Sequence, residues 1–290
     1  MLSIFYLILS IVLATIEAMM LNTISTELSM GQILLFRSGI QIVFVIGFCK
    51  VINKNYFEFL PTKRIKEHIF RSVLTVVSWF CYYKSFKELP IGLATTLTFS
   101  SQFFVLLLAW PILKERVGPT TVKATLLGFL GVLVASGLWE FNHADINVLY
   151  GFGYAFVAAV TILTTQSLTS TEKTTTIIFY MALGVFFSSV PQAYTDWRPL
   201  SLTNTFVLII LSIVGSYASY YFVQAYRLGK PDVLAPFTYA RLPIGVLAGY
   251  FVLDDPLEVP VIIGSILIIW AAIFSQEKFR KVWNWKVKSK

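Results

Sequence analysis

The chain reads as a succession of long apolar runs broken by short polar turns. Runs of the length a membrane helix needs, about 20 mostly apolar residues, fall near 2–22, 31–52, 67–87, 91–113, 118–139, 146–167, 174–195, 204–226, 231–253 and 256–276. They are continuous rather than alternating, which predicts helices and argues against the strands of a membrane barrel. The pattern therefore predicts an all-α membrane protein of ten transmembrane helices, with turns too short for an extramembrane domain. The first run starts at Met1 without a basic flank or a small-residue cleavage site, so it is expected to remain as a span rather than act as a signal peptide.

Composition supports the same solvent. The 290 residues are 57% hydrophobic and 13% charged, with a mean hydropathy of +0.74, against about 45–50% apolar and about 25% charged in soluble domains. Too few charges remain to coat a surface in water, so apolar surface must face lipid. This excludes a soluble enzyme, a nucleic-acid-binding domain and a secreted scaffold. The net charge of +8 finds its explanation in topology. Of 23 Lys and Arg, 17 lie on one set of alternate turns and in the tail, three (Lys84, Lys87, Arg198) on the opposite set, and three (Arg37, Arg71, Arg241) inside spans. Basic residues are retained on the cytoplasmic side, which places both termini there. The basic tail, 277–290, with Trp283 and Trp285, reads as an anchor on anionic lipid.

Few groups suggest chemistry at a metal or a nucleophile. Cys49 and Cys81 lie in or beside apolar stretches and read as small filler. His68 and His143 fall near span ends and read as solvated loop residues. No nucleotide-binding P-loop, G-x-S-x-G elbow or H-E-x-x-H pair occurs. No catalytic residue, metal or cofactor is expected, and an intramembrane enzyme is a remote alternative.

Two stretches about 140 residues apart, 82–117 and 221–257, resemble each other. Each has an aromatic-rich helix end, a polar turn, a long span with small residues and an acidic turn (Lys114–Glu115; Asp254–Asp255). Five spans separate the copies, so 1–139 and 146–276 are expected to be inverted five-helix repeats. Such repeats let one scaffold open to either side of a central site.

The segment Ala-Pro-Phe-Thr-Tyr-Ala-Arg-Leu at 235–242, Gly249 and Asp254-Asp255-Pro256 resemble the second-half signature of the EamA family of the drug/metabolite transporter superfamily. So do Phe-Arg-Ser at 36–38 and 70–72 and Leu-Lys-Glu at 113–115. The resemblance covers nearly the whole chain, and the branch of S-adenosylmethionine uptake transporters is the most similar. The pattern differs at Asp255, where relatives commonly carry Glu, and at Thr238, where that branch often carries Arg and this chain has its cation at Arg241. The resemblance implies an inner-membrane secondary transporter of S-adenosylmethionine or a similar amino-acid-like molecule. An exporter of amino acids, other metabolites or drugs on the same fold is the alternative. The expected partners are a small-molecule substrate, lipid, and a proton or exchange substrate.

Charged and polar residues at bilayer depth usually face the bundle interior. Arg241 lies about ten residues into its span, roughly 15 Å deep, and its repeat counterpart is Gln102. Glu17 and Arg37 lie at similar depth on consecutive spans, as a structural ion pair or a proton-coupling one. Arg71 is expected to snorkel to headgroups. Trp79, Tyr82 and Tyr83 mirror Tyr217, Tyr220 and Tyr221, and Tyr217, Tyr220 and Gln224 share one helix face. As a set these rings could cradle an organic cation, and Tyr239 is a further candidate. Gly245-x-x-x-Gly249 and Gly215-x-x-x-Ser219 read as packing seams, and Pro231, Pro236 and Pro243 as a locally broken span.

Overall fold

A computed structural model describes residues 1–24, 27–53, 60–89, 91–114, 118–135, 147–253 and 259–288. Every regular element among them is a helix: α1 (Leu2–Ile24), α2 (Met30–Asn53), α3 (Ile65–Glu88), α4 (Ile91–Phe99), α5 (Ser101–Leu113), α6 (Pro119–Ala135), α7 (Val148–Thr169), α8 (Thr174–Thr195), α9 (Leu202–Leu228), α10 (Pro231–Thr238), α11 (Arg241–Leu253) and α12 (Val259–Lys288). Six stretches are long and apolar enough to cross a membrane: Leu2–Leu21, Met30–Val51, Thr96–Leu113, Val148–Thr169, Thr174–Thr195 and Leu202–Leu228. Pro119–Ala135 and Val259–Ala271 are shorter apolar helices. The predicted tail continues α12 as helix to Lys288.

Two of the predicted spans are broken near their middles. Only Ser100 separates α4 from α5, and only Tyr239 and Ala240 separate α10 from α11. Around each break the backbone takes tighter three-residue turns. The Ser100 amide bonds to the Leu97 carbonyl at 3.2 Å and the Phe103 amide to that of Ser100 at 3.0 Å; the Leu242 amide bonds to the Tyr239 carbonyl, also at 3.0 Å. The second break follows from Pro243, which has no N–H for the carbonyl four residues back, that of Tyr239. At the first, the Ser100 hydroxyl donates to the Leu97 carbonyl at 2.5 Å, a side-chain bond that competes with the helix. The proline pattern foretold the break in the second span; the one in the first was not foreseen.

The chain packs as two compact units, Met1–Val76 with Thr164–Leu228, and Val77–Leu163 with Gly229–Lys290. Each takes helices from both sequence halves, and α3 and α7 run from one unit into the other. In unit 1, α1 packs on α9, and α2 on α8 and α9. Its core includes Val45, Cys49, Leu168, Ile177 and Val223. In unit 2, α6 packs on α12, and α10 on α5 and α6. The α6–α12 crossing is backbone to backbone, because a Cβ at Gly131 would stand 2.7 Å from the Gly264 carbonyl oxygen. Of the pair Gly245 and Gly249, Gly249 is buried, while a Cβ at Gly245 would meet no described atom within 4 Å. A glycine pair in sequence marks where a close approach is allowed, and the neighbour must come from elsewhere in the fold.

Candidate functional site

The expected site residues divide evenly between the units. Unit 2 holds Arg241, Gln102, Trp79, Tyr82 and Tyr239; unit 1 holds Glu17, Arg37, Tyr217, Tyr220 and Gln224.

In unit 2 the break between α10 and α11 puts Arg241 at the first position of α11. Its side chain is exposed and makes no hydrogen bond or ion pair with any described residue. Its charge acts on the phenols of Tyr82 and Tyr154. Those rings are 5.3 Å apart, and Tyr82 lies 6.0 Å from Trp79 at 73°. Trp79, Tyr82 and Tyr154 thus form a chain of rings from α3 and α7, with a guanidinium close enough to polarise two of them. Tyr154 was not singled out from sequence. It sits in an apolar run, and only its contact with Tyr82 distinguishes it.

Gln102, second residue of α5, is buried; its Nε2 donates to Ser101 Oγ at 3.4 Å and its Oε1 has no partner among the described residues. Tyr239 is fully buried. Its ring lies where a side chain at Gly128 of α6 would be, with Cδ2 2.5 Å from that Cβ position, and is 5.8 Å from Phe99. Its hydroxyl has no partner among the described residues. In this conformation Tyr239 packs the helix break rather than lining an open surface.

In unit 1, Arg37 Nε pairs with Glu17 Oε1, both side chains being largely covered. Gly215 of α9 lies directly on the Glu17 carboxylate, leaving no room for a Cβ. The aromatic face of α9 is engaged in ring packing. Tyr217 meets Phe44 edge-on at 4.8 Å, Tyr220 lies 5.0 Å from Phe48, and Gln224 Nε2 donates to Tyr220 Oη at 3.0 Å. Tyr217 keeps 39% of its surface exposed.

Two expectations are corrected. Arg71 does not snorkel: it is 4% exposed, its Nε donates to Thr165 Oγ1 at 2.7 Å, and another of its nitrogens meets Met181 Sδ at 3.5 Å. His68 is no solvated loop residue. It lies in α3, 2% exposed, with its ring 4.7 Å from that of Tyr180. Both face the end of α7 and α8, which cover them. His143, Glu115, Asp254 and Asp255, and the side chains of Tyr83, Trp283 and Trp285, lie outside the described residues. Among the described residues no group of three His, Cys, Asp or Glu side chains could hold a metal ion.

Comparison with known proteins agrees with this architecture. Residues 1–137 match the EamA-like transporter family. The S-adenosylmethionine uptake transporter of Rickettsia prowazekii is 25% identical over 93% of this chain and 90% of its own. The riboflavin transporter of Vibrio cholerae is 28% identical over 75% of this chain and 73% of its own. The pseudopaline exporter CntI of Pseudomonas aeruginosa is 21% identical over 92% and 94%. A protein of known crystal structure superposes with a TM-score of 0.77 at 16% identity, covering 97% of this chain and 98% of its own, a likeness of fold alone. Six helices long and apolar enough to cross a membrane, together with the match of residues 1–137 to a transporter family, indicate a multi-pass membrane protein.

Proposed function

We propose, for a chain whose residues 1–137 match the EamA-like transporter family, that it is a secondary transporter of a small polar metabolite. Its ten spans form two inverted five-helix repeats in an inner membrane, with both termini cytoplasmic and α4–α5 and α10–α11 each acting as one broken span. Discontinuous helices at corresponding places of two repeats are where such carriers build their sites. The best candidate substrate is S-adenosylmethionine or a similar amino-acid-like molecule, in keeping with the names of the Rickettsia relatives. An exporter on the same fold remains the second reading, as the pseudopaline relative illustrates.

The observation that carries the proposal is Arg241: an exposed guanidinium at a helix break, with no hydrogen-bond or ion-pair partner among the described residues, beside a chain of aromatic rings. A guanidinium fits a substrate carboxylate bidentately, and the rings of Trp79 and Tyr82 suit a sulfonium through cation–π attraction. The test is counter-flow of labelled S-adenosylmethionine in proteoliposomes, with riboflavin and methionine as competitors. Arg241→Lys keeps the charge but loses the fork, and should raise the half-saturating concentration about tenfold, a loss of about 1.4 kcal/mol. Unchanged affinity in well-expressed Arg241→Gln would remove Arg241 from the site, and riboflavin outcompeting S-adenosylmethionine would reassign the substrate.

A further inference from the structure

A second polar centre lies in unit 1. Arg64, immediately before α3, and His68 and Arg71 on it follow one another at spacings of four and three residues. Arg64 ties the start of α3 to the end of α7, donating to the Ser167 carbonyl and Ser167 Oγ, each at 2.8 Å. Arg71 holds Thr165 on the same helix. Ser72 donates to the Tyr180 carbonyl on α8 at 3.3 Å, and Tyr180 Oη donates to the Leu60 carbonyl at 2.9 Å. The Glu172 carboxylate, in the α7–α8 turn, accepts from Thr62 at 2.9 Å. These bonds make a latch between α3 and the α7–α8 end, and His68 is enclosed in it.

Neither His68 ring nitrogen has a hydrogen-bond partner among the described residues, and one Arg71 guanidinium nitrogen is likewise buried without one. The groups that face the ring are Arg64 just before α3 and Glu67 and Arg71 on it, with Arg64 paired to Glu67. Glu172 faces it from the turn and Tyr180 from α8, while Arg227 of α9 donates to the Glu172 carbonyl. A neutral ring leaves one buried N–H unpaired; an imidazolium would leave two, together with a desolvated charge. Protonation and this packing therefore oppose each other.

We propose that His68 is the protonation site that releases this latch, so that proton binding opens the α3 end of unit 1 and couples the transport cycle to pH. The proposal rests on the transporter reading above and moves coupling away from Glu17, whose carboxylate is occupied by Arg37. The sign follows from linkage: the closed latch takes the neutral ring, so closure holds at high pH and weakens as pH falls. A solvated imidazole titrates near 6.5, so the opening constant should rise about tenfold by pH 5.5.

The test needs no substrate. Amide hydrogen exchange of the full protein in nanodiscs, corrected for the intrinsic pH dependence of exchange, is compared at pH 7.5 and 5.5. In the wild type, peptides covering 62–72 and 165–180 should lose about tenfold protection at the lower pH, and those covering 202–216 should not. His68→Gln should keep the high-pH protection at both. Equal wild-type protection at the two pH values overturns the proposal, whether or not the variant folds, and so does a His68→Gln that responds as the wild type does. Loss of counter-flow with the pH response intact would sink the transporter reading alone.

Discussion

In unit 1 three cations have protein partners: Arg37 meets Glu17, Arg64 at the start of α3 meets Glu67, and Arg71 reaches Thr165. In unit 2, Arg241 meets none among the described residues. The seams differ in the same sense. Where α1 crosses α9, Gly215 makes room for a charged carboxylate; where α6 crosses α12, Gly131 and Gly264 make room for each other's backbone. A charge in a membrane protein needs a partner, so a cation that has none among the described residues is the candidate we propose for a ligand. Unit 1 uses its polar groups to hold helices together, while unit 2 has a backbone-to-backbone seam and a cation with no partner among the described residues.

The largest expected effect tests the glycine seam. Gly131→Leu places a branched side chain against a carbonyl that cannot move without its helix, so thermal unfolding in detergent should show a loss of about 3 kcal/mol or outright failure to fold. Gly245→Ala, in open space, should be neutral or stabilising by about 0.5–1 kcal/mol. Equal damage at both positions would mean that α6 and α12 do not cross as described.

The contrast between cations comes next. Glu17→Gln leaves Arg37 largely covered and unpaired, and should cost about 1–3 kcal/mol in stability, below the range for fully buried pairs. Arg241→Gln should leave stability within about 0.5 kcal/mol while lowering counter-flow. If Arg241→Gln destabilised as much as Glu17→Gln, Arg241 would be a structural charge and the contrast would vanish. The smallest effect concerns the rings. Trp79→Ala should weaken substrate binding in counter-flow by about 0.5–2 kcal/mol, whereas Tyr217→Phe, which keeps the edge contact with Phe44, should change little.

Much of this could be read along the chain. Apolar runs mark helices because their spacing is a local property, and the break before Arg241 follows from Pro243 and its missing donor. The break at Ser100 carries no proline and escaped notice. His68 and Arg71 were misread because depth along a helix says nothing of what lies over it. Thr165 and Tyr180, which cover them, stand about a hundred residues further along the chain.

By itself, then, the sequence determined the solvent, the helices and the list of polar groups able to act, since these depend on composition and on periodicity within one segment. The tertiary structure decided which of those groups are occupied. Glu17 is held by Arg37 under Gly215, Tyr239 fills the place a side chain at Gly128 would take, His68 is shut beneath Tyr180, and Arg241 is exposed with no partner among the described residues. Pairing depends on distance in space, and helices far apart in the chain must pack before any charge has its partner or lacks one.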